Sequence, residues 1–191
     1  MGKTQPLKEL EQIQTLKQYF LERGEIRNYA LIVMGLNTSL RISDILKLQW
    51  RDVYNYRTGC YKNHLTVVEK KTQKNNTVAI NNAIMEALDM LRNNDLPSPE
   101  LYIFTSQKGE NQPITRNRAF TIIKGAADTL GFEDNISCHS LRKTFGYQAW
   151  KQGVPPALLM SIYNHSSYEI TKRYLGISQD ERDEVFLNIM L

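Results

Sequence analysis

Apolar residues return along this chain at two different periods, and the switches between them mark its organisation. Leu10, Ile13, Leu16 and Phe20 recur every three or four positions, which predicts a first amphipathic helix ending near Gly24. A second, more uniformly apolar helix follows through residues 29–35. Leu40, Ile45 and Leu48 place a third after the polar turn Asn37-Thr38-Ser39. The period then drops to two. HLTVVE (64–69) and TVAI (77–80) are β-branched runs separated by KKTQKNN, the pattern of two antiparallel strands and their turn. A further strand around residues 51–56 completes an expected three-stranded sheet. Helical spacing resumes at Ile84, Ala87, Leu88 and Leu91, after Asn81-Asn82, which can cap it.

The segment NNDLPSPELYIF (93–104) reads as a long loop, because its two prolines interrupt any helical pattern. Phe120, Ile123, Ala127 and Leu130 then line one helix face behind a Thr115 cap. Leu141, Phe145 and Ala149 form a stripe that stops at Gly153, and Pro155-Pro156 opens a short helix through Ile162. Two S-x-x-E sequences, Ser166 to Glu169 and Ser178 to Glu181, match a capping box. The first begins a helix that holds Tyr174 and closes at Gly176. The second begins a terminal helix bearing Val185, Phe186, Ile189 and Met190. The expected fold class is predominantly α (α+β), a helical domain with one small three-stranded antiparallel sheet. No repeat, low-complexity tract or Gly/Ser linker divides it, so 1–191 reads as one domain.

Composition narrows the class without deciding it. A length of 191 residues is enough for one well-packed domain, and 41% hydrophobic with 23% charged residues is ordinary for a globular protein. No apolar run reaches the ~18 residues of a membrane span. The start, MGKTQPLKELEQ, turns polar at once, unlike a signal peptide. Cys60 and Cys138 lie far apart with no metal-like spacing, which fits a reduced cytoplasmic protein. A net charge of +4 is modest, but it is unevenly placed. Between 41 and 80 basic residues outnumber Asp44, Asp52 and Glu69, whereas 177–191 sets Asp180, Glu181, Asp183 and Glu184 against Arg182 alone. A basic middle and an acidic tail suit a polyanion and a separate contact surface.

Four short stretches carry candidate chemistry, and each has an ordinary reading beside it. In CHSLRKTF (138–145), His139 and Arg142 are three apart and share a helix face; the ordinary reading is a cap and a surface arginine. Arg41, in LNTSLRISDILKL, gains little from the positive end of a helix. It either pairs with Asp44 or is held by Asp44 for another anion, and a guanidinium's planar fork suits a phosphate. Lys71 sits in the expected turn beside Lys70 and Lys74, where lysines are usually solvated; the alternative is a mobile ammonium reaching into a groove. His165 and Tyr174 flank a short helix in NHSSYEITKRYLGIS, either as packing or as a pair that acts together.

In combination and in this order, these stretches resemble the tyrosine recombinase (phage integrase) family. TSLRISDILKLQWRDV is similar to the family's first box, VVEKKTQKNNTVAI to its lysine hairpin and HSLRKTF to its second box. NHSSYEITKRYLGIS resembles the segment that ends in the nucleophile, and the resemblance spans about residues 5–190. Asn164 stands where the family often has glycine, and Asp44 where it often has glutamate.

The resemblance implies a set of roles. Tyr174 is the nucleophile, Arg41 and Arg142 brace the phosphate, and Asp44 supports them. His139 accepts a proton, His165 donates to a phosphate oxygen, and Lys71 protonates the departing 5′ oxygen. Lys70, Lys74, Arg116, Arg118 and Lys143 contact DNA. It further implies no metal or other cofactor. The partner is double-stranded DNA with a specific recombination site, bound by a homo-tetramer of a chain that is monomeric when free. Residues 5–176 then form the catalytic core, with no core-binding domain before it, and 178–191 a helix that docks on a neighbouring protomer or on its own domain. Rival readings are a type IB topoisomerase, which reseals the same strand, and a non-catalytic DNA-binding protein of the same fold. A metal nuclease built on His64, His139 and His165 lacks ligand spacing.

Overall fold

Helix α2 (Ile26–Asn37) is buried along almost its whole length and is the axis of the structure. Ala30, Leu31, Ile32, Val33, Met34 and Leu36 all enter the core, so every side of the helix needs a neighbour. α1 (Leu10–Glu22), α5 (Asn82–Arg92) and α7 (Cys138–Lys151) supply them. The computed structural model describes residues 4–68, 75–177 and 186–189.

α1 lays Leu16 and Phe20 on the core, and Gly24, at φ 66°, reverses the chain into α2. α3 (Ile42–Ile45) is a single turn, shorter than the helix expected across Leu40–Leu48, although both of those leucines are buried. The strand expected over 51–56 is mostly a second single-turn helix, α4 (Trp50–Val53). Trp50 and Val53 both reach the core from one side of that turn, and the Gln49 amide donates to Asp52 Oδ2 at 2.8 Å to close it. Only β1 (Tyr54–Asn55) is left to pair with β2 (Cys60–Tyr61). β3 (His64–Val68) pairs antiparallel with β4 (Asn75–Ala79), from His64 opposite Ala79 to Val68 opposite Asn75. The described residues therefore form two two-stranded sheets in place of one three-stranded sheet.

The caps read from sequence hold for α5 and α6 (Arg116–Thr129). Asn81 Oδ1 accepts from the Ile84 amide at 3.0 Å and Thr115 Oγ1 from the Arg118 amide at 3.1 Å. α8 (Pro156–Tyr163) starts on its proline. α9 (Tyr168–Leu175) is capped one residue later than expected, by Ser167, whose Oγ accepts from the Ile170 amide at 3.3 Å.

Two apolar clusters result. The larger joins α1 to α7; the smaller gathers Leu159, Tyr163, Leu175 and Ile177 with Phe145, Ala149 and Trp150 packed on it. α7 belongs to both, with Leu141 facing the first and Phe145 the second. Its close approach to α2 depends on Gly35, where a Cβ would lie 2.6 Å from Leu141 Cδ1. The chain start straps the polar side of α7. The Leu7 amide donates to Thr144 Oγ1 at 2.8 Å, and Gln148 Nε2 donates to the Lys8 carbonyl at 2.7 Å. At the other end residues 186–188 are helical, and Phe186 and Ile189 of the expected apolar stripe are exposed. Val185, Met190 and the second S-x-x-E sequence lie outside the described residues. No helix among the described residues is long and apolar enough to cross a membrane.

Candidate active site

The middle of α7 is buried, yet it is polar: Ser140, Arg142, Lys143 and Thr144 are all enclosed. Burying a guanidinium is costly unless its donors are met, so the surroundings of Arg142 define the site. Its guanidinium lies over the Tyr163 ring, 5.1 Å from the centroid, and is near enough to Tyr174 to pull the pKa of its phenol down. Its Nη1 is buried with no hydrogen-bond partner. One helical turn earlier, His139 stands at the exposed start of α7.

The α8–α9 junction brings the other groups. Asn164 ends α8 in the left-handed conformation, at φ 55°, which explains why asparagine serves where the resemblance has glycine. His165 follows, and its Nδ1 is 3.0 Å from Thr171 Oγ1. The His165 ring is stacked on Tyr163 at 5.4 Å and meets Tyr174 edge-on at 5.3 Å. Tyr163 and Tyr174 are themselves 5.3 Å apart. Arg41, at the start of α3, is near enough for its charge to act on His139, His165 and Tyr174. It is aimed there by a turn in which Thr38 Oγ1 donates to the Met34 carbonyl at 2.7 Å and Ser39 takes φ 54°.

These surroundings set the protonation states. Burial raises the Tyr174 phenol above its ordinary pKa, although Arg142 and Arg41 pull the other way, so the resting hydroxyl keeps its proton. His139 is exposed in part, yet desolvation of the rest of its ring, with positive charge from Arg142, Arg116, Lys143 and Arg41, holds it below the ordinary imidazole value. His165 is lowered too, by desolvation and then by Arg142 and Arg41. Both imidazoles are therefore neutral at pH 7.

The structure thus brings Arg41, His139, Arg142, His165 and Tyr174 into one cluster. Asp44 is buried on α3; Ser43 Oγ donates to its Oδ1 at 3.4 Å, while Oδ2 has no hydrogen-bond partner. Arg116 and Arg118 are exposed on the first turn of α6. Arg116 faces His139 and Cys138, and Arg118 faces Arg27 across a cavity of ≈ 520 Å³. Lys143, expected among the DNA contacts, is 4% exposed and donates to the Thr4 carbonyl at 2.5 Å, because residues 4–8 fold over α7. Lys70, Lys71 and Lys74 lie outside the described residues. Among the described residues, no group of three or more histidine, cysteine or acidic side chains is placed to hold a metal ion.

Sequence reasoning gave Thr171 no role and Tyr163 only that of a second nucleophile to try if Tyr174 failed. Both look like packing positions of their helices, and nothing in the spacing marks Tyr163 as a partner of Arg142, twenty-one positions away.

Comparison with known proteins bears on the whole chain. Residues 6–181 match the phage integrase family. The probable integrase/recombinase YoeC of Bacillus subtilis (strain 168) is 40% identical over 181 residues, covering 92% of this chain and 91% of that protein. The tyrosine recombinase XerD of Corynebacterium glutamicum is 25% identical over 166 residues, and there the match covers 85% of this chain but only 52% of XerD. The chain thus spans about half the length of such a relative. Among solved structures, XerA recombinase has a TM-score of 0.74 at 17% identity, over 100% of this chain and 68% of XerA. XerH, solved on palindromic difH substrate in a post-cleavage complex, has a TM-score of 0.72 at 18% identity, over 97% of this chain and 53% of XerH. At those identities the structures share the helical fold with its small antiparallel sheets. The family match and the YoeC identity go further, and with them the chain belongs to the phage integrase family of tyrosine recombinases.

Proposed function

We propose that this chain breaks and rejoins double-stranded DNA at a specific site, by transesterification through a covalent 3′-phosphotyrosyl link to Tyr174. The observation that carries the reading is the state of Arg142. Its guanidinium is near enough for its charge to act on the Tyr174 phenol, while its buried Nη1 has no acceptor. A buried donor without a partner is uncommon in a folded protein and marks a place for a ligand. A non-bridging phosphate oxygen meets that donor and places the phosphorus beside the attacking hydroxyl.

The chemistry follows from the neighbours. Tyr174 Oη attacks phosphorus as the bond from phosphorus to the 5′ oxygen breaks. The phenolic proton leaves to neutral His139, and Lys71, the acid that the family resemblance supplies, protonates the 5′ oxygen. Arg41 and Arg142 oppose the charge that gathers on the equatorial oxygens. His165, in contact with Thr171 Oγ1 through Nδ1, donates to the phosphate from Nε2 in the tautomer that carries its hydrogen there. Attack by another 5′-hydroxyl reverses these steps on a new partner strand. The phosphotyrosyl link keeps the energy of the original ester, so the exchange needs neither ATP nor a metal ion. Residues 5–176 act as the catalytic core, and the exposed Phe186 and Ile189 are offered to a neighbouring protomer of a DNA-bound tetramer.

Replacing Tyr174 with phenylalanine removes one oxygen. Tyr174→Phe should bind DNA as the parent does and form no covalent adduct with a nicked suicide substrate; an adduct of undiminished yield would place the nucleophile elsewhere. Exchange between two sites, as against relaxation of a supercoiled plasmid alone, separates recombination from topoisomerase activity.

A further inference from the structure

We infer that Tyr163 is a positioning residue for phosphoryl transfer, one side chain that fixes Arg142, His165 and Tyr174 relative to each other. The inference rests on the DNA-cleaving reading above and adds to it a residue that touches no reacting atom.

Tyr163 is 1% exposed and its hydroxyl donates to the Arg142 carbonyl at 2.7 Å. That contact ties the end of α8 to the turn of α7 that bears the guanidinium. The guanidinium then lies over the ring of the same tyrosine, so backbone and side chain of Arg142 are both held by one partner. The imidazole of His165 is stacked on this ring at an interplanar angle of 22°, and the Tyr174 ring lies 5.3 Å away. A tyrosine serving only as core filler needs an acceptor for its hydroxyl and apolar neighbours for its ring. Here three of the five clustered groups rest on it. The arrangement has been given room: a Cβ on Gly146 would sit 2.4 Å from Tyr163 Oη and 2.7 Å from Cε2. With the hydroxyl committed to a carbonyl and burial raising its pKa, Tyr163 is also unsuited to attack a phosphate itself.

Two substitutions separate the hydroxyl from the ring. Tyr163→Phe keeps the ring and removes the tie to Arg142. It should leave the dissociation constant for DNA unchanged and slow single-turnover cleavage at saturating suicide substrate about tenfold, since small misplacements of reacting groups are costly. Tyr163→Leu removes the ring as well and should slow cleavage further at unchanged DNA affinity. A second readout is independent of activity. The His165 ring protons, assigned by loss of their signals in His165→Gln, should show the upfield ring-current shift of a stacked imidazole in the parent and in Tyr163→Phe, and lose it in Tyr163→Leu. Cleavage by Tyr163→Phe at the parental rate overturns the inference. So does a slow Tyr163→Phe that regains the parental rate at a lower temperature, which reports stability alone, or a covalent adduct that maps to Tyr163. If Tyr163→Leu fails to fold, the Tyr163→Phe rates decide. If the parent chain forms no adduct at all, the cleavage reading fails, and persistence of the His165 shift in Tyr163→Leu would sink the positioning role separately.

Discussion

At the scale of single residues, the surroundings of the cluster keep one phenol and two imidazoles uncharged at pH 7. Tyr174 is buried enough to hold its proton, and His139 and His165 are held below 6.5 by desolvation and by the surrounding cations. A proton acceptor that stays neutral below the usual imidazole range keeps working as pH falls. Cleavage by the parent chain should therefore lose rate through an acidic limb centred below pH 6.5, and His139→Gln should be slow with that limb abolished. The same shifts bear on stability. The unfolded chain takes up its histidine protons near 6.5 and the folded chain only at lower pH, so protons favour unfolding in between. The stabilising contribution is complete above about pH 6.5 and is lost as pH falls through the window beneath it. Thermal unfolding followed against pH should show the decline, and the double variant His139→Gln/His165→Gln should flatten it. A midpoint above 6.5, or a decline that survives in the double variant, would contradict these environments.

At the scale of elements, the site depends on how closely α7, α8 and α9 approach. Gly146 is the sharpest instance, with Tyr163 Oη at 2.4 Å and Leu175 Cδ2 at 2.5 Å from the place of a Cβ. Gly146→Ala pushes α8 and α9 off α7 and should cost about 1–3 kcal/mol, the usual range for overpacking. Its melting temperature should fall and cleavage at saturating DNA should slow with it; an unchanged melting temperature would show that the helices separate freely. The sequence carried the longer elements well, because α1, α2, α5, α6 and α7 each repeat an apolar spacing over several turns. It did not carry α4, since one turn has no period to detect and its two buried residues, Trp50 and Val53, favour strands. The Ser166 motif lost to Ser167 by one position, as the extended backbone at Ser167, φ −151° and ψ 158°, is the one that presents its hydroxyl to the Ile170 amide. Arg41, His139, Arg142, His165 and Tyr174 were legible as residues because they lie in ordered motifs. The platform of Tyr163 was not, since contacts across twenty-one positions leave no local pattern.

At the scale of the whole molecule, basic residues must be sorted by burial before any of them is assigned to DNA. Arg118 is exposed on α6 and Lys143 is not. Arg118→Gln should weaken DNA binding and lower the slope of log affinity against log salt by about 0.9, the share of one phosphate contact. Lys143→Gln should leave that slope alone and destabilise the fold, because its ammonium ties the chain start to α7. Titrations at several salt concentrations, with melting curves on the same samples, check both. A slope change in Lys143→Gln without loss of stability would return that lysine to the DNA surface.

The central claim is that phosphorus becomes bonded to Tyr174, and the sequence makes this directly measurable. Trypsin cuts after Lys151, Lys172, Arg173 and Arg182, so Tyr163 and Tyr168 share the peptide 152–172, while Tyr174 is the only tyrosine in 174–182. Trapping the parent chain on a nicked suicide substrate, digesting DNA and protein, and weighing the peptides by mass spectrometry reads the bond itself. The account predicts a nucleotide 3′-phosphate on 174–182, and a nucleotide on 152–172, or on neither peptide, would contradict it.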